Sequence, residues 1–277
     1  MKKVLLVLAI AVLAMGMIAC APKQATATGA AAQTASQGSL ERIINSGVLR
    51  AGVALSGPPI GGRDDTGQPY GYDVDWAQKF ADTLGVKLEI TEVVGDNRIA
   101  ALTSGRIDVI IANITGNLER SKTIDFSIPY LRAGIKMLVR SGSPYQTIDD
   151  LNKAGLKVGV GRGSTGEDLA VKFASNAEIV YTTDFTEQML LLRQNKVDAI
   201  FEDNTLLDFA AGQSNGELYA PPKLYTSDPI CFGLPKGDIE FVRYCDLFVS
   251  WMISSGWQAE TYEKWWGVPP APLNAPW

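Results

Sequence analysis

The sequence predicts an α/β fold arranged as two lobes, each a mainly parallel sheet flanked by helices. From Leu40 onward, short apolar runs alternate with amphipathic segments, as they do where helices connect parallel strands. The stretch from Leu40 to Trp277 exceeds the ~100–200 residues of an ordinary domain, so two lobes are expected. A strand–helix–strand–helix–strand order also occurs twice, over 48–112 and again over 156–202.

In the first unit, 48–53 (VLRAGV) reads as a strand, followed by an irregular loop through Pro58-Pro59 to Gly71. A helix begins at Asp73, with Val74, Ala77, Phe80, Ala81 and Leu84 on one face and Gly85 as its stop. A strand at 86–93, a short helix at 97–104 ended by Gly105, and a strand at 107–112 complete the unit. Residues 133–140 form the next strand. In the second unit Thr147 and Asp150 form a helix N-cap pattern, and 156–160 (LKVGV) is a strand. The Gly-rich turn 161–166 opens a helix running to about Ala174. Strands at 178–182 and 197–202 flank a helix containing Met189, Leu190 and Leu192, and 228–237 is a last strand. Two helices close the fold, and 268–277 reads as a Pro-Trp-rich strap over the surface.

Before Leu40 the chain has a different character. Lys2 and Lys3 precede a continuous apolar run over 4–19 that ends at Cys20, which is the layout of an export signal. Met17-Ile18-Ala19-Cys20 approximates a lipobox, so 1–20 is expected to be a lipoprotein-type signal peptide with Cys20 the lipidation site. Cleavage after Ala21 is the rival reading. A retained span is disfavoured, because 4–19 falls short of the roughly 20 residues a membrane helix needs. Residues 21–39 are small and polar and form a flexible tether. The expected location is outside the cytoplasm, periplasmic or at the cell surface, anchored through Cys20.

Composition removes several function classes. The chain has 30 acidic against 25 basic side chains, two of the basic ones in the leader, and a net charge of −5. Such a surface repels phosphate backbones, and nucleic acid is not an expected partner. There is no histidine, so the usual general base, the usual zinc ligand and every Ser-His or Cys-His pair are missing. No metal or cofactor is called for. Cys231 and Cys245 remain in the exported domain, and a disulfide and two buried free thiols both stand as readings.

Residues 161–166 (GRGSTG) form a literal GxGxxG between a strand and a helix, with Asp184 about twenty residues on, where a dinucleotide fold would hold ribose. The export signal and the lack of an accompanying acid–base pair weigh against a dinucleotide. The general physics of the turn is anion binding at a helix N-terminus, and the anion can be a carboxylate.

GYDVDWAQKFADTLGVKLEI (71–90), SGRIDVIIANITGNLERSKTIDFSIPYLRAG (104–134), VGVGRGSTGED (158–168), KVDAIFED (196–203) and YEKWWG (262–267) occur in this order and spacing. Together they resemble the family 3 extracellular solute-binding proteins of polar amino-acid ABC importers. The resemblance implies a type II periplasmic-binding-protein fold with two hinge strands closing on ligand. Lobe 1 would be 40–132 plus 229–277 and lobe 2 would be 133–228. It further implies a membrane permease as partner and no catalytic turnover.

Carried over residue by residue, the resemblance makes Arg120 the grip on a ligand α-carboxylate, with Thr115 and the backbone at Asn113 as lobe 1 contacts. Thr165, with Ser164 and the helix N-terminus, would meet the same carboxylate from lobe 2, and Asp203 would hold the α-ammonium. Taken singly, Arg120 reads more readily as a surface arginine and Thr165 and Asp203 as helix caps; taken jointly, in this order across two lobes, they read as the clamp. A zwitterion does need a cation and an anion, and placing them on opposite lobes makes ligand favour closure.

Where many members carry an aromatic sandwich, this chain has Gly57, Ile60 and Gly95, so stacking walls are expected to be missing. The Asn-Arg-Ile at 97–99 resembles the glutamate/aspartate branch and makes Arg98 the specificity candidate, so the ligand leans acidic, with glutamine, cystine or another polar amino acid behind it. The plain alternative is a solvated helix residue at Arg98. A second basic residue of that branch is replaced by Ala54. The scaffold also resembles the cyclohexadienyl dehydratases, but their general-acid glutamate corresponds to Leu206, which cannot transfer a proton.

Overall fold

The computed structural model describes residues 38–273. Cys20, the signal peptide, the tether up to residue 37 and the last residues of the Pro-Trp strap lie outside them.

Chain order is α1 (Ser39–Ser46), β1 (Val48–Val53), β2 (Gly62–Arg63), β3 (Pro69–Tyr70), α2 (Tyr72–Leu84), β4 (Lys87–Glu92), α3 (Asn97–Thr103), β5 (Val109–Thr115), β6 (Asp125–Phe126) and β7 (Leu131–Ala133). Then come β8 (Ile135–Arg140), α4 (Ile148–Leu151), β9 (Lys157–Gly161), α5 (Thr165–Phe173), β10 (Glu178–Thr182), α6 (Phe185–Arg193), β11 (Ala199–Asp203), α7 (Asn204–Gly212) and β12 (Leu218–Tyr219). The described residues end with β13 (Asp228–Leu234), α8 (Ile239–Ser254) and α9 (Trp257–Trp266).

Two sheets define two lobes. The first has the order β4-β1-β5-β13-β6, with β7 also on β13, and the second β10-β9-β11-β8-β12. In each, three strands run parallel: β4, β1 and β5 in one, β10, β9 and β11 in the other. A fourth strand lies antiparallel beside them, β13 on β5 and β8 on β11. The central strands β5 and β9 are buried almost throughout, whereas the edge strand β4 alternates. This is what helices on both faces require of an inner strand. Thus α2 and α8 cover one face of the first sheet and α3 the other. Helices α5 and α6 do the same for the second.

Aromatic residues dominate the first lobe's core. Trp76 on α2 meets Tyr130, Phe232, Phe248 and Trp257 edge-on, with centroids 5.0–5.9 Å apart, the favoured arrangement for ring quadrupoles. The helix starts at Tyr72, one residue earlier than its pattern suggests, and Gly85 ends it in a left-handed cap. The Thr147–Asp150 pattern forms a capping box. Ser39, read as tether, opens α1, and its N–H donates to Asp238 at 2.8 Å. The strand expected at 107–112 instead runs from Val109 to Thr115, which places two candidate ligand contacts on it. Cys231 and Cys245 are buried free thiols, so they do not form the disulfide.

The chain crosses between the sheets at Gly134 and again over 220–227. The crossings lie side by side: Ile135 N–H donates to Thr226 Oγ1 at 2.8 Å and Tyr225 N–H to Ile135 O at 2.9 Å, while β7 pairs with β13. Among the described residues no helix is long and apolar enough to cross a membrane.

Candidate functional site

The carboxyl ends of the parallel strands from both sheets converge on one cleft, the usual place for a ligand in open α/β sheets. Gly57, Ile60, Gly95, Arg98, Asn113, Thr115, Arg120, Ser164, Thr165 and Asp203 all line it. The cavity holds about 90 Å³ for the centre of a water-sized sphere. One water needs only ~10–15 Å³ on that measure, so there is room for several waters or one small molecule.

Arg120 reaches the cleft from a short turn after β5. Its Nη1 donates to Thr115 O and its Nη2 to Gly163 O on the other lobe, both at 2.9 Å. Burial lowers its pKa, so it sits where an anion is welcome. Asp203 is 4% exposed and stands at the N-cap position of α7 without making a capping bond. Its Oδ2 accepts from Asn113 Nδ2 across the cleft at 2.8 Å, and its Oδ1 is buried without a partner. Burial first, then the charges of Glu202 and Asp228, push its carboxyl up to about 7. A buried acceptor with no donor is costly, and an ammonium would supply the donor.

Asn113 holds a left-handed backbone, φ 47°, which asparagine tolerates better than most residues. Its N–H donates to Asp73 Oδ2 at 2.7 Å, and Tyr130 O–H donates to Asp73 Oδ1 at 2.6 Å. Asp73 is fully buried, and burial pushes its carboxyl up to about 7. Neither Asp73 nor Tyr130 was singled out as functional from sequence. Both sit in the core and act on the cleft by fixing Asn113.

Ser164 is the N-cap of α5, its Oγ accepting from Glu167 N–H at 3.1 Å. Thr165 is the first helical residue, beside first-turn N–H groups that lack intrahelical acceptors. Asp184, the expected ribose holder of a dinucleotide site, instead caps α6 by accepting from Glu187 N–H at 2.9 Å.

Arg98 is not the solvated residue of the plain reading. It is 9% exposed, with Nε donating to Gly95 O at 3.1 Å and Nη1 to Ala112 O at 2.9 Å and Asn113 O at 3.3 Å. Burial, then Arg120, lower its pKa to about 10. Two of its nitrogens therefore serve the main chain, and only Nη2 is left for a ligand.

Gly57, Ile60 and Gly95 bring no aromatic ring to the cleft themselves, and the opposite lobe supplies one. Phe185, from the opposite lobe, lines the cleft against Gly57, where an added Cβ would lie 3.4 Å from the ring and 3.0 Å from Leu206. Gly95 does not open a side-chain pocket. A Cβ there would lie 2.0 Å from Arg162 O, so its role is to let the lobes meet. Glu202 and Gln188 also line the cleft and were missed. Glu202 lay inside a quoted motif, but only the α6 register brings Gln188 to it.

A family model of the bacterial extracellular solute-binding proteins, family 3, matches residues 49–268. The chain belongs to that family, the solute-binding proteins of amino-acid ABC transporters, and has its two-lobed fold. It is 30% identical to the L-cystine-binding protein TcyJ of Escherichia coli K12 over 84% of this chain and 88% of that one. It is 32% identical to the ABC transporter glutamine-binding protein GlnH of Bacillus subtilis 168 over 74% and 76%. A crystal structure of an ancestral amino acid-binding protein, a precursor of cyclohexadienyl dehydratase, superposes with a TM-score of 0.77 at 31% identity, covering 83% of this chain and all of that one.

Proposed function

We propose that this protein captures a free polar L-amino acid in the cleft by lobe closure and delivers it to the permease of an ABC importer, without turnover. The observation that carries this is the placement of Arg120 on one lobe and Asp203 on the other, with Asp203 Oδ1 buried and unpartnered. Arg120, with Thr115 on its own lobe and Ser164 and Thr165 at the α5 N-terminus, takes the α-carboxylate. Asp203 takes the α-ammonium. Micromolar affinity corresponds to about −8 kcal/mol, within reach of two charge-assisted clusters and an enclosed side chain.

For the side chain, Arg98 Nη2 supports an oxygen-bearing end group. Taken alone it favours the carboxylates of glutamate and aspartate, with an amide as the neutral alternative. The similar proteins named for cystine and glutamine fit the general class. A dehydratase is disfavoured because Leu206, which packs toward Gly57 in the cleft, has no proton to give. Cys20 is proposed to carry the lipid that holds the protein at the membrane, and the acidic net charge speaks against nucleic acid as a partner.

A thermal-shift screen of the twenty amino acids and cystine, with NAD and prephenate alongside, tests the reading. A rise in Tm with one or a few amino acids is expected. A response to NAD or prephenate with none to any amino acid would rule it out.

A further inference from the structure

Glu202 stands beside Asp203 at the end of β11 and faces the same cleft, yet an α-amino acid's backbone has no use for a second acid. Its hydrogen bond comes from Gln188 Nε2 to Oε1, at 2.8 Å. Gln188 is 1% exposed, lines the cleft, and has its Oε1 buried without a partner. A Cβ at Gly161 would lie 2.9 Å from Gln188 Nε2 and 3.0 Å from Glu202 Oε1, so the bare glycine of the Gly-rich turn keeps room for this pair. The two side chains thus line the cleft with more acceptor capacity than their mutual bond uses, since Gln188 Oε1 has no partner and Glu202 is a carboxyl with only Oε1 engaged by Gln188. From the other lobe comes Arg98, near enough for its charge and that of Glu202 to act on each other's titration.

Charge balance then narrows the ligand. Arg120 and Asp203 are matched by the two ends of the zwitterion. Of the other charges lining the cleft, Arg162 is exposed and Asp184 caps α6, which leaves one cation, Arg98, and one anion, Glu202, for the ligand side chain. A side-chain carboxylate would satisfy Arg98 but place its charge beside Glu202, and an ammonium would do the reverse. Either leaves a like-charged pair in a water-poor cleft, which discriminates strongly. A side chain of zero net charge, with an acceptor on one side and N–H donors on the other, meets both groups.

We propose that Glu202 and Gln188 form a donor-reading subsite that works with Arg98, so that the protein selects an amino acid whose side chain ends in a neutral group bearing both an acceptor and N–H donors. A carboxamide has this chemistry, and so does a second amino-acid head, as in cystine. The assignment rests on the amino-acid reading of the cleft and turns that reading away from acidic ligands.

Calorimetric titration of the full chain with glutamine, asparagine, cystine, glutamate, lysine and methionine tests it. An amide amino acid or cystine should bind at least ten-fold tighter than glutamate, lysine and methionine, and the amide and cystine arms separate the two sources. Glu202→Gln should shift the ratio of best ligand to glutamate at least ten-fold toward glutamate. Tightest binding of glutamate or lysine by the wild type, or an unchanged ratio in the variant, overturns the subsite while leaving the clamp in place. Binding of no amino acid at all overturns both. If Glu202→Gln does not fold, the wild-type ranking alone decides.

Discussion

Burial first, then the acidic neighbours Glu202 and Asp228, hold the Asp203 carboxyl near 7, and its Oδ1 has no partner. An α-ammonium binds the ionised form, so binding must drive off whatever proton Asp203 carries. Affinity should therefore rise as pH goes from 6 to 8, by up to about ten-fold per unit below 7, the limit for one linked proton. Calorimetry in buffers of different ionisation enthalpy would detect the released proton, and a flat profile would remove Asp203 from the role. Asp203→Ala and Arg120→Ala should each weaken binding by about 3–5 kcal/mol, because each leaves a ligand charge buried and unpaired. Thr165→Ala should cost less, since the N–H groups of the α5 first turn remain. Wild-type affinity in Arg120→Ala, measured by titration, would move the site elsewhere.

The elements were largely legible because their signals are local. The β1 strand, the Gly85 stop of α2 and the capping box at Thr147 depend on residues within a few positions of one another, and all three stand as expected. The strands β2, β3 and β6 are two residues long, too short for periodicity to register. What sequence could not show is how elements from different lobes approach. Gly95 read as a lost aromatic because its closest neighbour, Arg162 O, belongs to the other lobe. Phe185, Gln188 and Glu202 went unmarked for the same reason: their meaning lies in the cleft formed where α6 and β11 face lobe 1. Gly95→Ala puts a methyl at 2.0 Å from a main-chain oxygen, which must move away for the lobes to close. Ligand affinity should fall at least ten-fold, about 1.4 kcal/mol, although residue 95 contributes no side chain to the ligand. Small-angle scattering with saturating ligand should show a larger radius of gyration than wild type, and equal radii and affinities would refute the clasp.

At the scale of the whole molecule, each lobe has its own core. Among the described residues the lobes meet through Leu206 and Phe185, which pack on the lobe 1 core, through the bond from Trp266 Nε1 to Thr205 O at 2.9 Å, and through polar contacts in the cleft. These include Arg120 with Gly163, Asn113 with Asp203, and Thr186 Oγ1 with Ser56 O at 2.9 Å. Closure is thus coupled to the same groups that would hold ligand, and a ligand that binds the closed form shifts the population toward it. Two of the buried carboxyls tie this to pH. Asp73 and Asp203 are both raised from 3.8 to about 7, burial being the first cause in each. An acid whose folded pKa lies above its unfolded value favours folding while both states are protonated. That contribution is fully present below pH about 4 and is lost as pH rises to about 7. For these two groups, then, the ligand-free protein should lose stability between pH 4 and 7, the opposite of a salt-bridged aspartate. Saturating amino acid supplies an ammonium to Asp203 and should lower its pKa, removing the Asp203 share of the slope and keeping that of Asp73. Asp73→Asn should remove that share, at the cost of a weaker hold on Asn113. Denaturant unfolding from pH 4 to 8, with and without ligand, checks all three. A slope that ligand leaves unchanged would mean that Asp203 does not meet the ammonium.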